Sequence, residues 1–162
     1  MNIDKPTLDR ISKLHPSVRG EVTELINDIN TDILTGAAKV RISEGYRSFD
    51  EQNAIYAKGR TKPGPIATKA KGGQSIHNYG MAFDIVLVIN GKDISWDTKK
   101  DWDNDKKSDW MEVVEYLKKH GWSWGGDWTS FKDMPHFDKK GYTNWRELIK
   151  YPKDKNGYII LK

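Results

Sequence analysis

Apolar residues recur every three or four positions through the first third of the chain. Leu8, Ile11 and Leu14 share one face, and Val18, Val22, Leu25, Ile26, Ile29 and Ile33 continue the spacing beyond Pro16. That period is helical, and Pro16 suits a first turn, where its missing N–H has no partner to lose. The pattern then changes: Lys39 to Glu44 alternates through Val40 and Ile42, which predicts a strand carrying Tyr46 and Arg47 to its end. Ser48 followed by Glu51 is a capping-box pattern for a helix to about Lys58, stopped by Gly59. Residues 60–74 hold Pro63, Pro65, Gly64, Gly72, Gly73 and several lysines, and read as a surface connection. Ala82 to Ile89 is apolar except at Asp84 and predicts a buried strand, while Asn90-Gly91 predicts a tight hairpin into a return strand near Ile94 to Trp96. Asp109 to His120 predicts a helix ended by Gly121, with short strands following at Trp122 to Trp124 and His136 to Asp138. Thr143 is the expected cap of a short helix through Ile149, and Asn156-Gly157 the last turn into Tyr158 to Leu161. No repeat or low-complexity linker interrupts the series, so the expectation is one α+β domain over residues 1–162, an antiparallel β-sheet flanked by helices.

The polar break at Asp84 sets up the chemistry. An unpaired carboxylate at the mouth of a buried strand is costly, so Asp84 asks for a cation beside it. His77 stands seven residues earlier, and Gly80 between them lets the chain turn sharply and bring the imidazole back over the strand. A third candidate is His136 in Asp133-Met134-Pro135-His136, where Pro135 favours an extended Met134 and therefore a loop entering a strand. Zinc takes nitrogen and oxygen ligands in a tetrahedron, and a catalytic site keeps three protein ligands with one open position. His77, Asp84 and His136 supply that count. Of the four histidines in the chain, the other two, His15 beside Pro16 and His120 before Gly121, read as structural. Taken singly, each of these residues also has a plain structural reading, as do Arg47 in a surface ion pair and Asp133 in a turn ahead of proline.

The run Ser-x-His-x-x-Gly-x-Ala-x-Asp from Ser75 to Asp84, with Gly45-Tyr46-Arg47-Ser48, Gly125-Gly126-Asp127-Trp128 and Asp133-x-x-His136, resembles a family of zinc peptidases that cut peptidoglycan stem peptides. That family includes D-Ala-D-Ala carboxypeptidases and L-alanyl-D-glutamate endopeptidases, many phage endolysins among them. The likeness covers about residues 40–138. It implies a D-Ala-D-Ala metallopeptidase-like fold (Hedgehog/DD-peptidase type) with zinc on His77, Asp84 and His136. It further implies Asp133 as general base, Arg47 as the group that stabilises the oxyanion, and substrate contacts from Ser75, Tyr46, Trp124 and Trp128. Aspartate at 133, where the carboxypeptidase branch commonly carries glutamate, resembles the endolysin branch and cleavage between L-Ala and D-Glu. D,D-carboxypeptidase action is the alternative. A stem-peptide-binding module with a purely structural zinc is the reading from another class.

Composition bears on the setting. A chain of 162 residues is expected to make a single monomeric domain without a separate wall-binding module, and the absence of cysteine excludes disulfides. No apolar run is long enough to span a bilayer, and the start Met1-Asn2-Ile3-Asp4-Lys5 lacks a signal-peptide core. The expectation is a cytoplasmic product, and the family resemblance implies release to the wall by a holin-type partner. A net charge of +4 favours approach to an anionic polymer such as peptidoglycan with its attached acids. The seven tryptophans among basic residues also fit base stacking, but no nucleic-acid-binding motif accompanies them, and they read as core and cleft-wall residues.

A second ion is a candidate. Asp101, Asp103, Asp105, Asp109 and Glu112 occupy positions 1, 3, 5, 9 and 12 of the calcium loop found in helix-loop-helix hands, with a helix predicted to follow. Position 6, a glycine in that loop, is Lys106 here, which must take a left-handed backbone at roughly 1 kcal/mol and adds a positive charge near Ca2+. The competing reading is a capping box of Asp109 and Glu112 with the other aspartates solvated.

Overall fold

A computed structural model describes residues 1–161. Helices α1 (Lys5–Ile11) and α2 (Pro16–Asp28) form where the helical period was predicted, each with a proline in its first turn. Ile11, Leu14, Val18, Val22, Leu25 and Ile26 are buried as the spacing requires, whereas Leu8 stays exposed. The end of the predicted helical face, Ile29–Ile33, widens into a π-type turn that carries the buried Asn30.

Strands β1 (Ala38–Glu44), β2 (Ala82–Ile89), β5 (His136–Lys139) and β4 (Trp122–Trp124) lie in that order in one antiparallel sheet, and β3 (Asp93–Ser95) pairs with the far end of β2. Asn90 and Gly91 have φ of 54° and 70°, the two left-handed residues that a type I′ hairpin needs between β2 and β3. Outer strand β1 does not leave its backbone edge open. Asn30 accepts from Val40 N at 2.7 Å and donates to Val40 O at 3.2 Å, Thr7 Oγ1 accepts from Ile42 N at 3.1 Å, and Arg10 donates to Ile42 O at 2.9 Å. On the core side of the sheet Phe83 of β2 packs tilted against Trp122 of β4 and stacks on Phe137 of β5, with ring centroids 4.8 and 5.7 Å apart. Trp110, Val113, Val114 and Leu117 of α4 (Asp109–Lys119) join the same core.

Helix α3 (Phe49–Ala57) has the Ser48–Glu51 capping box in full and gives way at Gly59, φ 77°. Two expectations, the cap of α5 and the place of Trp96, need correction. Asn144, not Thr143, caps α5 (Trp145–Leu148), its side-chain oxygen accepting from Arg146 N at 3.1 Å. The last turn falls at Gly157 as predicted, and the tail beyond it buries Ile159 and makes one bridge, Lys153 to Ile159. Trp96, 61% exposed, belongs to neither core nor cleft, since it follows the end of the short β3.

Candidate active site

Strands β2 and β5 pair with Asp84 directly opposite His136, so both side chains leave the same sheet face at the same level. A β-bulge in β1 between Ile42 and Glu44 lies against Asp84 and bends the neighbouring strand there. His77 arrives from a single 3-10 turn, Ile76–Tyr79. Ser75 caps that turn, accepting from His77 N at 3.3 Å, while Asn78 reaches back to Ser75 N. Gly80 ends it with φ 71°, at a point where a Cβ would run into the backbone of Leu14 and His15. Glycine is therefore required at the reversal that the sequence predicted.

His77 Nε2, Asp84 Oδ1 and His136 Nδ1 form a triangle whose three sides are each 3.2 Å. A tetrahedral zinc with bonds near 2.0–2.1 Å has ligand-to-ligand edges of about 3.3 Å, so these atoms outline one face of its coordination shell. The other ring nitrogens fix the tautomers. His77 Nδ1–H donates to Gly45 O at 2.8 Å, and His136 Nε2–H donates to the Asp138 carboxylate, which leaves both lone pairs aimed at the centre. Electrostatics agree with a cation there. Burial works to raise Asp84, but the His136 and His77 rings facing it hold its carboxyl well below the usual carboxylate range. Burial opposes charge on His136, yet Asp138 and Asp84 push it up to about 10, so the two carboxylates demand positive charge at this point.

Sequence reasoning missed Asp138, although His136 to Asp138 was a strand candidate. Residues two apart on a strand point to the same face, and that period was the signal. Asp138→Asn is expected to weaken zinc binding by about 10–100-fold with the sheet intact, as read by competition with a chelator. An unchanged affinity would show that the ring is oriented without it.

The triangle opens into a cleft of about 920 Å³, lined also by Arg47, Ser75, Trp128, Asp133 and the stretch Ile66 to Ala70. That stretch, expected as a plain surface connection, is thus cleft wall. Asp133 is seated by Gly125: its N–H donates to Gly125 O at 3.1 Å, and Gly125 has no room for a side chain beside it. Burial first, then the charge on Asp84, raises the Asp133 carboxyl, as suits a group that must take up a proton. Arg47 is held from two sides, donating to Gln52 Oε1 at 2.8 Å and to Glu44 Oε1 at 3.3 Å. Gln52 is fully buried and donates in turn to Ala70 O at 2.8 Å, tying α3 and the 60–74 segment to Arg47; no sequence motif marked it. The Trp128 ring stands 5.2 Å from that of His136 as part of the wall. Ser75 lines the cleft with its hydroxyl already engaged as a cap.

Two expected substrate contacts fall elsewhere. Tyr46 sits in a separate groove with Arg10 and Lys13, 6.1 Å from Tyr158, since neighbouring residues on an extended chain point to opposite sides and Arg47 takes the cleft. Trp124 is 9% exposed and donates from Nε1 to Met134 O at 2.6 Å, while Gly126 leaves the space its indole fills; it props the segment that bears Asp133. His15 caps α2, accepting from Ser17 N at 3.1 Å, and His120 ends α4 before the left-handed Gly121. Asp101, Asp103 and Asp105 of the loop ahead of α4 gather with Asp109 and Glu112 of its first turn, and none lines the cleft.

Two imidazoles and a carboxylate around one point, with a further carboxylate on the wall of an open cleft, fit a metal-dependent hydrolase centre. Residues 68–139 match the family model described as D-alanyl-D-alanine carboxypeptidase. The chain is 47% identical over 132 residues to peptidoglycan L-alanyl-D-glutamate endopeptidase CwlK of Bacillus subtilis (strain 168), a match covering 78% of this chain and 74% of that protein. It is 34% identical over 114 residues to the L-alanyl-D-glutamate peptidase of Listeria phage A118, covering 67% of this chain and 38% of that protein. The solved structure of Serratia marcescens L-Ala D-Glu endopeptidase ChiX is similar in fold, with a TM-score of 0.53 and 19% identity across 86% of this chain and 90% of that one. The chain belongs to this family of peptidoglycan peptidases, a generally zinc-dependent group of hydrolases, and it carries a His-His-Asp group that could hold a metal ion. No helix among the described residues is long and apolar enough to cross a membrane.

Proposed function

We propose that the protein is an L-alanyl-D-glutamate endopeptidase of the peptidoglycan stem peptide, acting through zinc held by His77, Asp84 and His136. The 3.2 Å triangle of ligand atoms opening into the cleft shared with Asp133 and Arg47 carries the reading. Zinc, when bound, polarises a carbonyl and lowers the pKa of water. Asp133 takes the proton of the attacking water and delivers it to the leaving amine, and Arg47, fixed by Gln52 and Glu44, meets the negative charge that develops on the carbonyl oxygen. Lys69 and Lys132 on the cleft wall offer positive charge to the carboxylates of a stem peptide.

The Bacillus and phage relatives support the bond between L-Ala and D-Glu, while the family description keeps D,D-carboxypeptidase action as the rival. Mass spectrometry of digested muropeptides tests the choice. Release of a peptide beginning at D-Glu is expected, and loss of a single terminal alanine would overturn it. A silent binding module is set aside if wall turbidity falls, stops falling with chelator and resumes with zinc. A monomer acting alone and delivery by a holin-type partner complete the proposal; the phage origin of one relative is consistent with that route. The acidic loop ahead of α4 is read as a separate Ca2+ site.

A further inference from the structure

Oxygens of Asp101, Asp103 and Asp109 lie within 4.8 Å of one another, and so do those of Asp103, Asp105 and Glu112. Asp109 is 0% exposed; its Oδ1 accepts from Trp102 N at 3.0 Å, and its Oδ2, turned into the group, has no donor. Asp103 Oδ1 and Glu112 Oε1 are likewise buried atoms without a donor. Carboxylate oxygens left so are costly unless something positive meets them. The expected capping box does not account for them, because Ser108 is the cap of α4, accepting from Met111 N at 3.1 Å. Burial, and then the neighbouring carboxylates, push Asp109 up to about 6 and Glu112 up to about 8. Lys106 has φ 72°, so the loop holds the left-handed turn at position 6 despite carrying a side chain there.

The same loop grips a distant segment. Asp103 Oδ2 accepts from Thr35 N and Thr35 Oγ1, both at 3.3 Å, and Gly36 lies so close to the Trp102 carbonyl and Asp103 that a Cβ has no room. Asp103 therefore touches the turn leading into β1 and the cluster at the start of α4 at once.

Resting on the reading of this loop as a calcium site, we infer that the ion is a structural clamp: Asp101, Asp103, Asp105, Asp109 and Glu112 hold one Ca2+ that locks the Thr35–Gly36 turn ahead of β1 to the first turn of α4. The donor set is all oxygen, which suits a hard cation and not zinc. Lys106 adds charge of the wrong sign, which places the affinity in the roughly 10⁻⁴–10⁻³ M range of extracellular calcium modules.

The test uses full-length protein loaded with zinc and stripped of calcium on a chelating resin. It is titrated with calcium in a calorimeter and with terbium under tryptophan excitation, Trp102 lying in the loop itself, while amide hydrogen exchange is followed with and without calcium. One saturable site below about 5 mM calcium, sensitised terbium emission, and exchange slowed about tenfold or more at Thr35, Gly36 and the first turn of α4 are expected. Glu112→Gln should lose about tenfold or more in calcium affinity with zinc content and turnover unchanged, and Lys106→Gly should bind calcium about tenfold more tightly. Absence of heat and of emission at about 5 mM overturns site and clamp together. Saturable binding with unchanged exchange at Thr35 and Gly36 overturns the clamp and leaves the site standing.

Discussion

Asp133→Ala is expected to keep one zinc per chain and to lower turnover of stem peptide by about 10²–10⁴-fold, the span that a positioned general base contributes. Asp133 is not a corner of the ligand triangle, so its removal leaves His77, Asp84 and His136 with their tautomer-fixing partners Gly45 O and Asp138 intact. What goes is a carboxylate on the cleft wall whose proton affinity is raised by burial and by the charge of Asp84. The loss should fall on kcat with little change in KM, since the group acts on the proton in flight and not on the resting substrate. Metal content by atomic absorption and turnover on purified peptidoglycan check both halves. Near-native turnover would remove Asp133 from the mechanism, and lost zinc would make it a ligand.

Gly125→Ala should cost about 10²-fold in activity although residue 125 touches no substrate. A Cβ there runs into the Asp133 carbonyl and comes within 3.1 Å of both the Asp133 and His136 Cβ atoms. Relief requires the 133–136 segment to move, and that one segment carries the proposed base and a proposed zinc ligand together. A displacement of about 1 Å at catalytic groups is worth a loss of that order. The core beneath, with Phe83, Phe137 and Trp122 stacked on the other face, is untouched, so thermal stability should fall far less than turnover. Activity set beside the melting temperature separates the two. Equal loss of both would mean that Gly125 serves the fold and not the site.

The three residues that gather at the site were legible because each stands out from its surroundings: Asp84 breaks an apolar strand, Gly80 marks the reversal that returns His77, and Pro135 sets the entry of His136. Strand and helix placement followed from period alone, and the Asn90-Gly91 turn from the backbone it requires. Directions of side chains beyond the ends of elements were not legible. Tyr46 and Arg47 are neighbours in sequence, and only the packed structure says which one turns to the cleft. Gln52 and Asn30 were invisible for another reason. A polar residue that is buried to satisfy backbone groups of a distant segment leaves no periodic trace, because its partners, Ala70 and Val40, are fixed by tertiary contact.

The reversal at Gly80 leans on a part of the chain that carries none of the recognisable motifs. His15 N–H donates to Gly80 O at 3.0 Å, and the Leu14 and His15 backbone fills the place where a side chain at 80 would go. The stretch that matches the family model begins only at residue 68, yet the footing of its first histidine is laid some fifty residues upstream. An enzyme trimmed to its recognisable part would spell out every metal-binding residue and leave the earliest of them without ground to stand on.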